Sequence, residues 1–221
     1  MSTGSEAGGL LRTARGIMVA EVAMETHGSS AVKPGGRYTI AERLQWETDE
    51  QWELINGIAY AMSPAPRLLH QRLLIQLSTQ LVNQLHDKPC EPFIAPVDLY
   101  PFPDAVDERA DTVVQPDLMI VCDPSLCREE GVFGAPDWIL EILSATTAWK
   151  DQTEKKLVYQ ECGVREYWIL NPDNLDLIIY RRDGERFGAP TGANLAGPVG
   201  LEVLPDITLS VESAPAGTER A

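Results

Sequence analysis

One apolar segment carries a carboxylate at its centre, and this combination restricts where the segment lies in a folded domain. Residues 137–144 read DWILEILS. Because successive side chains of a strand point to opposite faces, Ile139, Glu141 and Leu143 share one face, and the other face is apolar throughout. A strand that is apolar on both faces is covered on both sides and lies centrally in its sheet. A carboxylate there is costly unless it pairs with an Arg or Lys or binds a metal ion.

A second carboxylate interrupts the preceding apolar segment. Residues 112–122, TVVQPDLMIVC, predict a strand in which Gln115 and Asp117 share a face. The proline between them indicates a bend or an edge, and an Asp after Pro is also typical of an ordinary turn. If the two strands are neighbours, about 4.8 Å apart, Asp117 and Glu141 can hold one divalent cation.

A predicted helix follows the Glu141 strand. Residues 151–163, DQTEKKLVYQECG, place Asp151, Lys155 and Tyr159 four apart on one face. One interpretation is a surface Asp151–Lys155 pair with Tyr159 packed in the core. In the other, Lys155 reaches the carboxylate site from the first turn of the helix, outside the core, and Tyr159 covers it.

The other periodicities predict a mixed α/β domain. Asn56-Gly57 joins two short strands in a hairpin, and leucines four apart predict a long amphipathic helix within residues 67–86. Strands and helices then alternate irregularly, which favours a mixed central β-sheet flanked by α-helices.

The chain divides into three parts by composition. Residues 1–37 are rich in Gly, Ser and Ala and predict a flexible N-terminal extension. Residues 38–211 form the predicted folded domain, and residues 212–221 form a predicted flexible tail.

Charge and cysteine content bear on partners and compartment. The net charge of -15 argues against a generally basic duplex-binding surface. Four cysteines without a CxxC pair predict free thiols in a reducing compartment. No apolar run reaches the ~18 residues of a membrane span, so we predict a cytoplasmic protein without membrane contact.

Two carboxylates and a lysine around a divalent cation form a hydrolytic set. The cation lowers the pKa of a bound water, and the lysine stabilises negative charge in the transition state. Oxygen ligands favour Mg²⁺ or Mn²⁺. Asp117, Glu141 and Lys155 are therefore the predicted catalytic residues.

The ordered segments WELINGIAYAMSPAPRLLH, QPD, LEILSATT and DQTEKKLVYQECGVREYWILNP resemble the Uma-type restriction endonuclease family of the PD-(D/E)xK nuclease superfamily. The resemblance spans residues 38–210. It implies a restriction-endonuclease-like fold, Mg²⁺ or Mn²⁺ as cofactor, DNA as substrate and a homodimer. The superfamily's usual lysine position is Leu143 here, and the Uma-type lysine matches Lys155.

The resemblance also implies further site residues. The backbone carbonyl of Ile142 would join Asp117 and Glu141 as a metal ligand. The resemblance adds Glu53 and His70 as candidates. Gln115, which shares the Asp117 face, and Asp151 and Tyr159, which share the Lys155 face, are candidates by their positions. A lone His on a helix is more often simply packed, so both interpretations of His70 stay open.

Two other functions fit the same sequence. The domain could be a non-catalytic binding or assembly module in which Glu141 pairs structurally with Lys155. It could also hydrolyse RNA or another phosphodiester.

Overall fold

A computed structural model describes residues 36–46, 50–62, 67–103, 111–144 and 148–211. The predicted tail lies outside these ranges, as does the predicted extension except for its last two residues. The flexibility of both segments stays a prediction.

The elements follow one another in an irregular α/β order. The helices are α1 (Ile40–Arg43), α2 (Leu68–Leu85) and α3, which joins Ala148–Lys150, a π-helical turn Asp151–Lys155 and Lys156–Cys162. The strands are β1 (Trp52–Ile55), β2 (Ile58–Ala61), β3 (Glu91–Ile94), β4 (Leu99–Tyr100), β5 (Leu118–Val121), β6 (Cys127–Arg128), β7 (Gly131–Phe133), β8 (Trp138–Ile142), β9 (Glu166–Leu170), β10 (Asp176–Asp183), β11 (Arg186–Phe187), β12 (Thr191–Asn194), β13 (Val199–Gly200) and β14 (Thr208–Leu209).

A seven-stranded mixed sheet forms the centre of the domain. Its order is β11-β10-β9-β8-β5-β3, and β12 pairs with β10. Strands β8 and β9 are parallel, whereas β5 and β8 are antiparallel with Leu118 opposite Leu140. The predicted mixed sheet flanked by helices is therefore confirmed, and β5 and β8 are neighbours as the two-carboxylate hypothesis requires.

The alternation along β8 separates the two faces of the sheet. Trp138, Leu140 and Ile142 pack in one apolar cluster with the buried leucines of α2. Ile139 packs in the other cluster, with Val158 of α3. Glu141 shares the Ile139 face because side chains alternate, so its carboxylate points towards α3.

Short-range signals produce the hairpin and the helix ends. Asn56 and Gly57 both adopt positive φ, 50° and 76°, as a type I′ turn requires. Thr39 caps α1 reciprocally with Glu42. Gly163 ends α3 with φ of 107°, a conformation in which a Cβ is strained.

Two predicted strands are interrupted at proline. The segment FIAPVDLY divides into β3 and β4 around the cis Ala95–Pro96 bond. In TVVQPDLMIVC, Val113 and Val114 bridge to Leu54 and Leu99, and β5 begins only after Pro116. Prolines cannot donate to the ladder, which explains both breaks.

The free-thiol prediction is wrong for one pair of cysteines. Cys90 and Cys122 form a disulfide at the end of the β3–β5 ladder, beside the paired Glu91 and Val121. Strand periodicity does not reveal this pairing, because the register of two distant segments sets it.

Across the described ranges, no helix is both long and apolar enough to cross a membrane. A cytoplasmic location stays a prediction.

Candidate active site

A cavity of about 380 Å³ opens where β8 ends, between α2, α3 and the β1–β2 hairpin. All of the residues predicted for the site line it except Tyr159, which lies behind Glu141. Its lining comprises Gln51, Glu53, Met62, Arg67, Leu69, His70, Gln71, Leu74, Ala95, Pro96, Gln115, Asp117, Glu141, Ile142, Leu143, Ser144, Lys150, Asp151, Lys155 and Pro172.

Asp117 lies just before β5, at the mouth of the cavity. Its Oδ2 accepts a hydrogen bond of 2.7 Å from the Ile142 N–H and lies 3.1 Å from His70 Nε2. Burial acts to lower the pKa of His70, but the hydrogen bond and negative charge of Asp117 outweigh it, so the pKa is raised. Asp117 is thus fixed to the end of β8, next to Glu141.

Glu141 is buried on the α3 face of β8. Its Oε1 accepts hydrogen bonds from Lys155 Nζ at 2.9 Å and from the Tyr159 hydroxyl at 2.6 Å. Burial raises the pKa of the Glu141 carboxyl to about 8; Lys155 opposes this shift, while Asp151 and Asp117 add to it. The ionised carboxylate therefore repels its acidic neighbours, which is the situation that a bound cation relieves.

Lys155 lies deep in the protein, and the expectation that it stays outside the core is wrong. Its side chain is 4% exposed, and Nζ lies 2.8 Å from Glu53 Oε1 and 3.8 Å from Asp151 Oδ1. Burial acts to lower its pKa, but Glu141, Glu53 and Asp151 hold the pKa well above the usual value. The ammonium is therefore a fixed positive charge at the end of β8.

Glu53 connects the hairpin to this network. Paired hydrogen bonds between Leu54 and Val113 bring β1 beside Gln115, whose N–H donates to Glu53 Oε1 at 2.8 Å. Lys150 Nζ donates to Oε2. Burial would raise the pKa of Glu53, but Lys155 and Lys150 lower it below its usual value. Both carboxylate oxygens are thus engaged by nitrogen donors.

Lys150 is the site residue that the sequence interpretation missed. It is 7% exposed, and its Nζ also lies 5.6 Å from the centre of the Tyr60 ring. The sequence predicts a helix that begins at Asp151, which leaves Lys150 in the loop before it. The helix in fact begins at Ala148, which places Lys150 on its first turn.

Gln115 and Asp151 complete the polar wall. Gln115 Nε2 donates to Asp98 Oδ1 at 2.7 Å. The Tyr167 hydroxyl donates to the backbone carbonyl of Asp151 at 2.9 Å, which fastens the π-helical turn of α3 to the sheet. Such turns recur at functional sites because they redirect side chains within a helix.

The donor chemistry of the wall fits a divalent cation. Four carboxylates, Glu53, Asp117, Glu141 and Asp151, line the cavity with two lysines, Lys150 and Lys155. Magnesium typically binds one or two carboxylates and takes its other ligands from water and substrate phosphate. Within the described ranges, no three His, Cys, Asp or Glu side chains are grouped as a complete metal-binding set.

This chain has one relative in sequence and another in fold. The uncharacterized protein slr1290 of Synechocystis sp. (strain ATCC 27184 / PCC 6803 / Kazusa) is 27% identical over 165 residues, 73% of this chain and 82% of the relative. A crystal structure described as "a putative nuclease belonging to DUF820", from Anabaena variabilis ATCC 29413, is 21% identical with a TM-score of 0.63. It covers 78% of this chain and 94% of that one. The second match shows a nuclease-like fold.

The family model gives the assignment. The model described as "Uma2: Putative restriction endonuclease" matches residues 40–212, most of the chain and the whole cavity wall. This match confirms the resemblance seen in the sequence motifs and is consistent with the PD-(D/E)xK superfamily. The chain belongs to the Uma2 family.

Proposed function

We propose that the chain is a Mg²⁺- or Mn²⁺-dependent nuclease that hydrolyses DNA phosphodiester bonds. One observation carries the proposal: Lys155 places a buried ammonium 2.9 Å from Glu141, although Leu143 stands where the superfamily usually has its lysine. Helix α3 thus supplies the lysine ammonium that a strand carries in the usual superfamily motif. The lysine lies at the cavity wall rather than in a surface pair, and contact with a substrate phosphate would replace part of its contact with Glu53 and Glu141.

We assign the metal to the two strand carboxylates. Asp117, Glu141 and the backbone carbonyl of Ile142 would hold it at the end of β8, where Asp117 is already hydrogen bonded to the Ile142 N–H. A bound Mg²⁺ or Mn²⁺ would supply Lewis acidity and a water of lowered pKa. The remaining ligand positions suit water and a phosphate oxygen.

The other polar residues orient this set. Lys155 would donate hydrogen bonds to the attacking water or to the phosphate oxygen that gains charge. The Tyr159 hydroxyl donates to Glu141 Oε1, the oxygen that also accepts from Lys155, at 2.6 Å. Because both oxygens of Glu53 receive nitrogen donors, we assign it to positioning Lys150 and Lys155 rather than to the metal.

Replacement of Lys155 by Met tests the proposal. Both Met and Ala remove the charge that compensates Glu53 and Glu141, but Met keeps most of the stem volume, whereas Ala would also leave a cavity. We expect Lys155→Met to reduce cleavage of plasmid DNA in Mn²⁺ by at least ~100-fold. The matched control is Lys156→Met, since Lys156 points away and lies over the Tyr180 ring. Wild-type cleavage rates in a folded Lys155→Met protein would refute the catalytic role of Lys155.

A non-catalytic module is the second candidate. The ion pairs of Lys155 with Glu53 and Glu141 favour this candidate, because a buried ammonium between carboxylates can be purely structural. Such a module would bind no Mn²⁺ and cleave neither DNA nor RNA. Cleavage of RNA alone would instead identify the substrate as RNA.

We also propose a homodimer formed through α2. Leu68, Ile75 and Val82 are 75%, 62% and 56% exposed and lie seven residues apart on one stripe. The helix contains no Asp or Glu, although the chain carries a net charge of -15. Two copies can therefore pair these stripes antiparallel across a two-fold axis without repulsion between carboxylates.

Sedimentation velocity tests the dimer. Ile75→Glu, at the centre of the stripe, should shift the protein to monomer, and Asn83→Glu should not, since Asn83 adjoins the stripe without forming part of it. A wild-type protein that sediments as a monomer at high concentration would exclude this interface.

A further inference from the structure

We infer that the cavity receives one unpaired nucleotide, so that the substrate is single-stranded DNA or a nucleotide turned out of a duplex. This inference rests on the proposed phosphodiester hydrolysis. It goes further in naming which form of nucleic acid enters the site.

The side chains that line the cavity are of two chemical kinds. The polar kind comprises the carboxylates and lysines described above. The apolar kind, called the apolar half below, forms the larger part of the wall. Its side chains come from the hairpin, α2 and the loops that follow β3, β8 and β9: Met62, Leu69, Leu74, Pro96, Leu143 and Pro172.

An apolar wall beside a phosphate site suits a nucleobase. Phosphate and sugar offer little apolar surface, whereas both faces of a base are apolar and gain from contact with side chains. The base of a paired nucleotide is stacked inside the duplex and cannot reach such a wall. A flipped or single-stranded base can.

The size of the cavity limits its occupant. A volume of about 380 Å³ lies near the lower end of the ~300–1,000 Å³ range of small-ligand pockets. That volume suits one nucleotide. A duplex could present only a backbone phosphate at the mouth and would leave the apolar half unfilled.

The charges of the cavity wall also favour an unpaired nucleotide over a duplex. Duplex-binding sites usually contact several phosphates with Lys and Arg. Here Lys150 and Lys155 are held by Glu53 and Glu141, and the further arginine of the wall, Arg67, lies at the exposed rim. With so few cations for phosphates, base contacts must supply much of the affinity.

The mouth also offers groups that can recognise a base edge. The amide side chains of Gln51 and Gln71 line the cavity, one exposed and one half-buried. An amide both donates and accepts hydrogen bonds, so it can pair with the Watson–Crick edge of an unpaired base.

The hydrolytic step balances without a further reactant. A water oxygen forms a bond to phosphorus while one P–O ester bond of the strand breaks. The leaving oxygen takes up a proton and becomes a hydroxyl group, and the other product is a phosphate monoester. Single-stranded and paired substrates share this chemistry, so only access to the cavity distinguishes them.

The test compares one labelled oligonucleotide as a single strand and as a duplex in Mn²⁺. Three proteins are compared: wild type, Leu69→Trp, which fills the apolar half, and Leu157→Trp, at an exposed leucine of α3 that does not line the cavity. Met62→Trp serves as a second filling variant if Leu69→Trp is unfolded. Binding of both DNA forms is measured in Ca²⁺ by fluorescence anisotropy, independently of cleavage.

The expected result has two parts. Wild type should bind and cleave the single strand about 10–100-fold better than the duplex, because only the single strand gains the contacts between base and apolar wall. Leu69→Trp should lose this preference, whereas Leu157→Trp should keep it. Equal or better cleavage of the duplex, or a preference that both filling variants retain, overturns the inference.

Failure of the proposed function looks different. Single-strand binding that Leu69→Trp abolishes, without cleavage by any protein, would sustain the nucleotide cavity and refute the nuclease. Duplex cleavage without single-strand preference would sustain the nuclease and refute the nucleotide cavity.

Discussion

Two glutamates on neighbouring strands are both buried, but they lie at opposite ends of the central sheet. Glu141 lies near the end of β8 and is 2% exposed; Glu166 begins β9 and is 1% exposed. Because the two strands are parallel, with Trp138 opposite Glu166, the carboxylates lie at opposite ends of the sheet. Burial alone does not distinguish them.

Their partners do. Glu166 Oε1 accepts from Trp168 Nε1 at 2.8 Å, and Oε2 accepts from the N–H groups of Glu202 and Val203 at 2.8 and 3.0 Å. These donors fasten the segment before β14 to the sheet. Glu141 instead faces Lys155, other carboxylates and a cavity. A carboxylate that backbone donors satisfy is structural, whereas one that shares a cavity with other carboxylates is a candidate for chemistry.

Glu141→Gln should give the largest effect and sharpen this contrast. The amide removes a charged metal ligand, so we expect cleavage in Mn²⁺ to fall by about 10³-fold or more. Above about pH 8, where the native carboxylate is ionised, the free energy of unfolding of the metal-free protein should stay the same or rise, because repulsion between carboxylates is relieved. Initial cleavage rates and urea titrations in EDTA check the two parts. A variant that cleaves normally would place the chemistry elsewhere.

Glu166→Gln should show the opposite pattern. Its amide nitrogen must face an N–H donor, so at least one buried hydrogen bond is lost, and unfolding should become easier by about 2–4 kcal/mol. Cleavage by the folded protein should persist. Glu202→Gln is the matched control, since Glu202 is largely exposed beside Arg181 and should change stability by less than ~1 kcal/mol. An unchanged urea midpoint for Glu166→Gln would contradict the structural role.

The pH dependence of stability should belong to Glu141. Its folded pKa of about 8 lies above the ordinary value of 4.5, so the folded state binds more protons between those values. Stability of the metal-free protein should therefore fall by about 1–3 kcal/mol as the pH rises from about 5 to about 8. The raised pKa of His70 adds a change of the same sign.

Urea titrations across this pH range, in EDTA, measure the effect. In Glu141→Gln, most of the change in the free energy of unfolding with pH should disappear, whereas Glu166→Gln should retain it. A slope that persists in Glu141→Gln would assign it to other groups.

Arg165→Ala should have the smallest effect. Arg165 pairs with Asp137 at 3.0 Å beside Glu166, but its side chain is 58% exposed. Solvent screens such pairs, so the expected loss is at most ~0.5 kcal/mol by urea titration. A loss of several kcal/mol would mean that this end of the sheet depends on its surface charges as well as on Glu166.

Local patterns in the sequence were sufficient to predict the scaffold. Alternation placed Glu141 on a central strand, and spacing by four placed Asp151, Lys155 and Tyr159 on one helix face. Asn56-Gly57 and Gly163 set turns through their own backbone preferences. Each of these signals depends on residues close together in the chain.

Contacts between distant segments were not predictable in this way. Lys150 meets Glu53 across 97 positions, and Cys90 meets Cys122 across 32. The sequence did not reveal how the buried carboxylate of Glu166 is satisfied, because its backbone donors lie 36 and 37 residues away in an irregular segment. Such partners are set by how the elements pack, which local periodicity does not encode.

Mn²⁺ titration calorimetry on the wild type, Glu141→Gln and Glu166→Gln tests the metal site most directly. Saturable binding by the wild type and Glu166→Gln, lost in Glu141→Gln, is the predicted result. Binding that Glu141→Gln retains, or none by the wild type even with a non-cleavable phosphorothioate oligonucleotide present, would contradict a cation held at the end of β8.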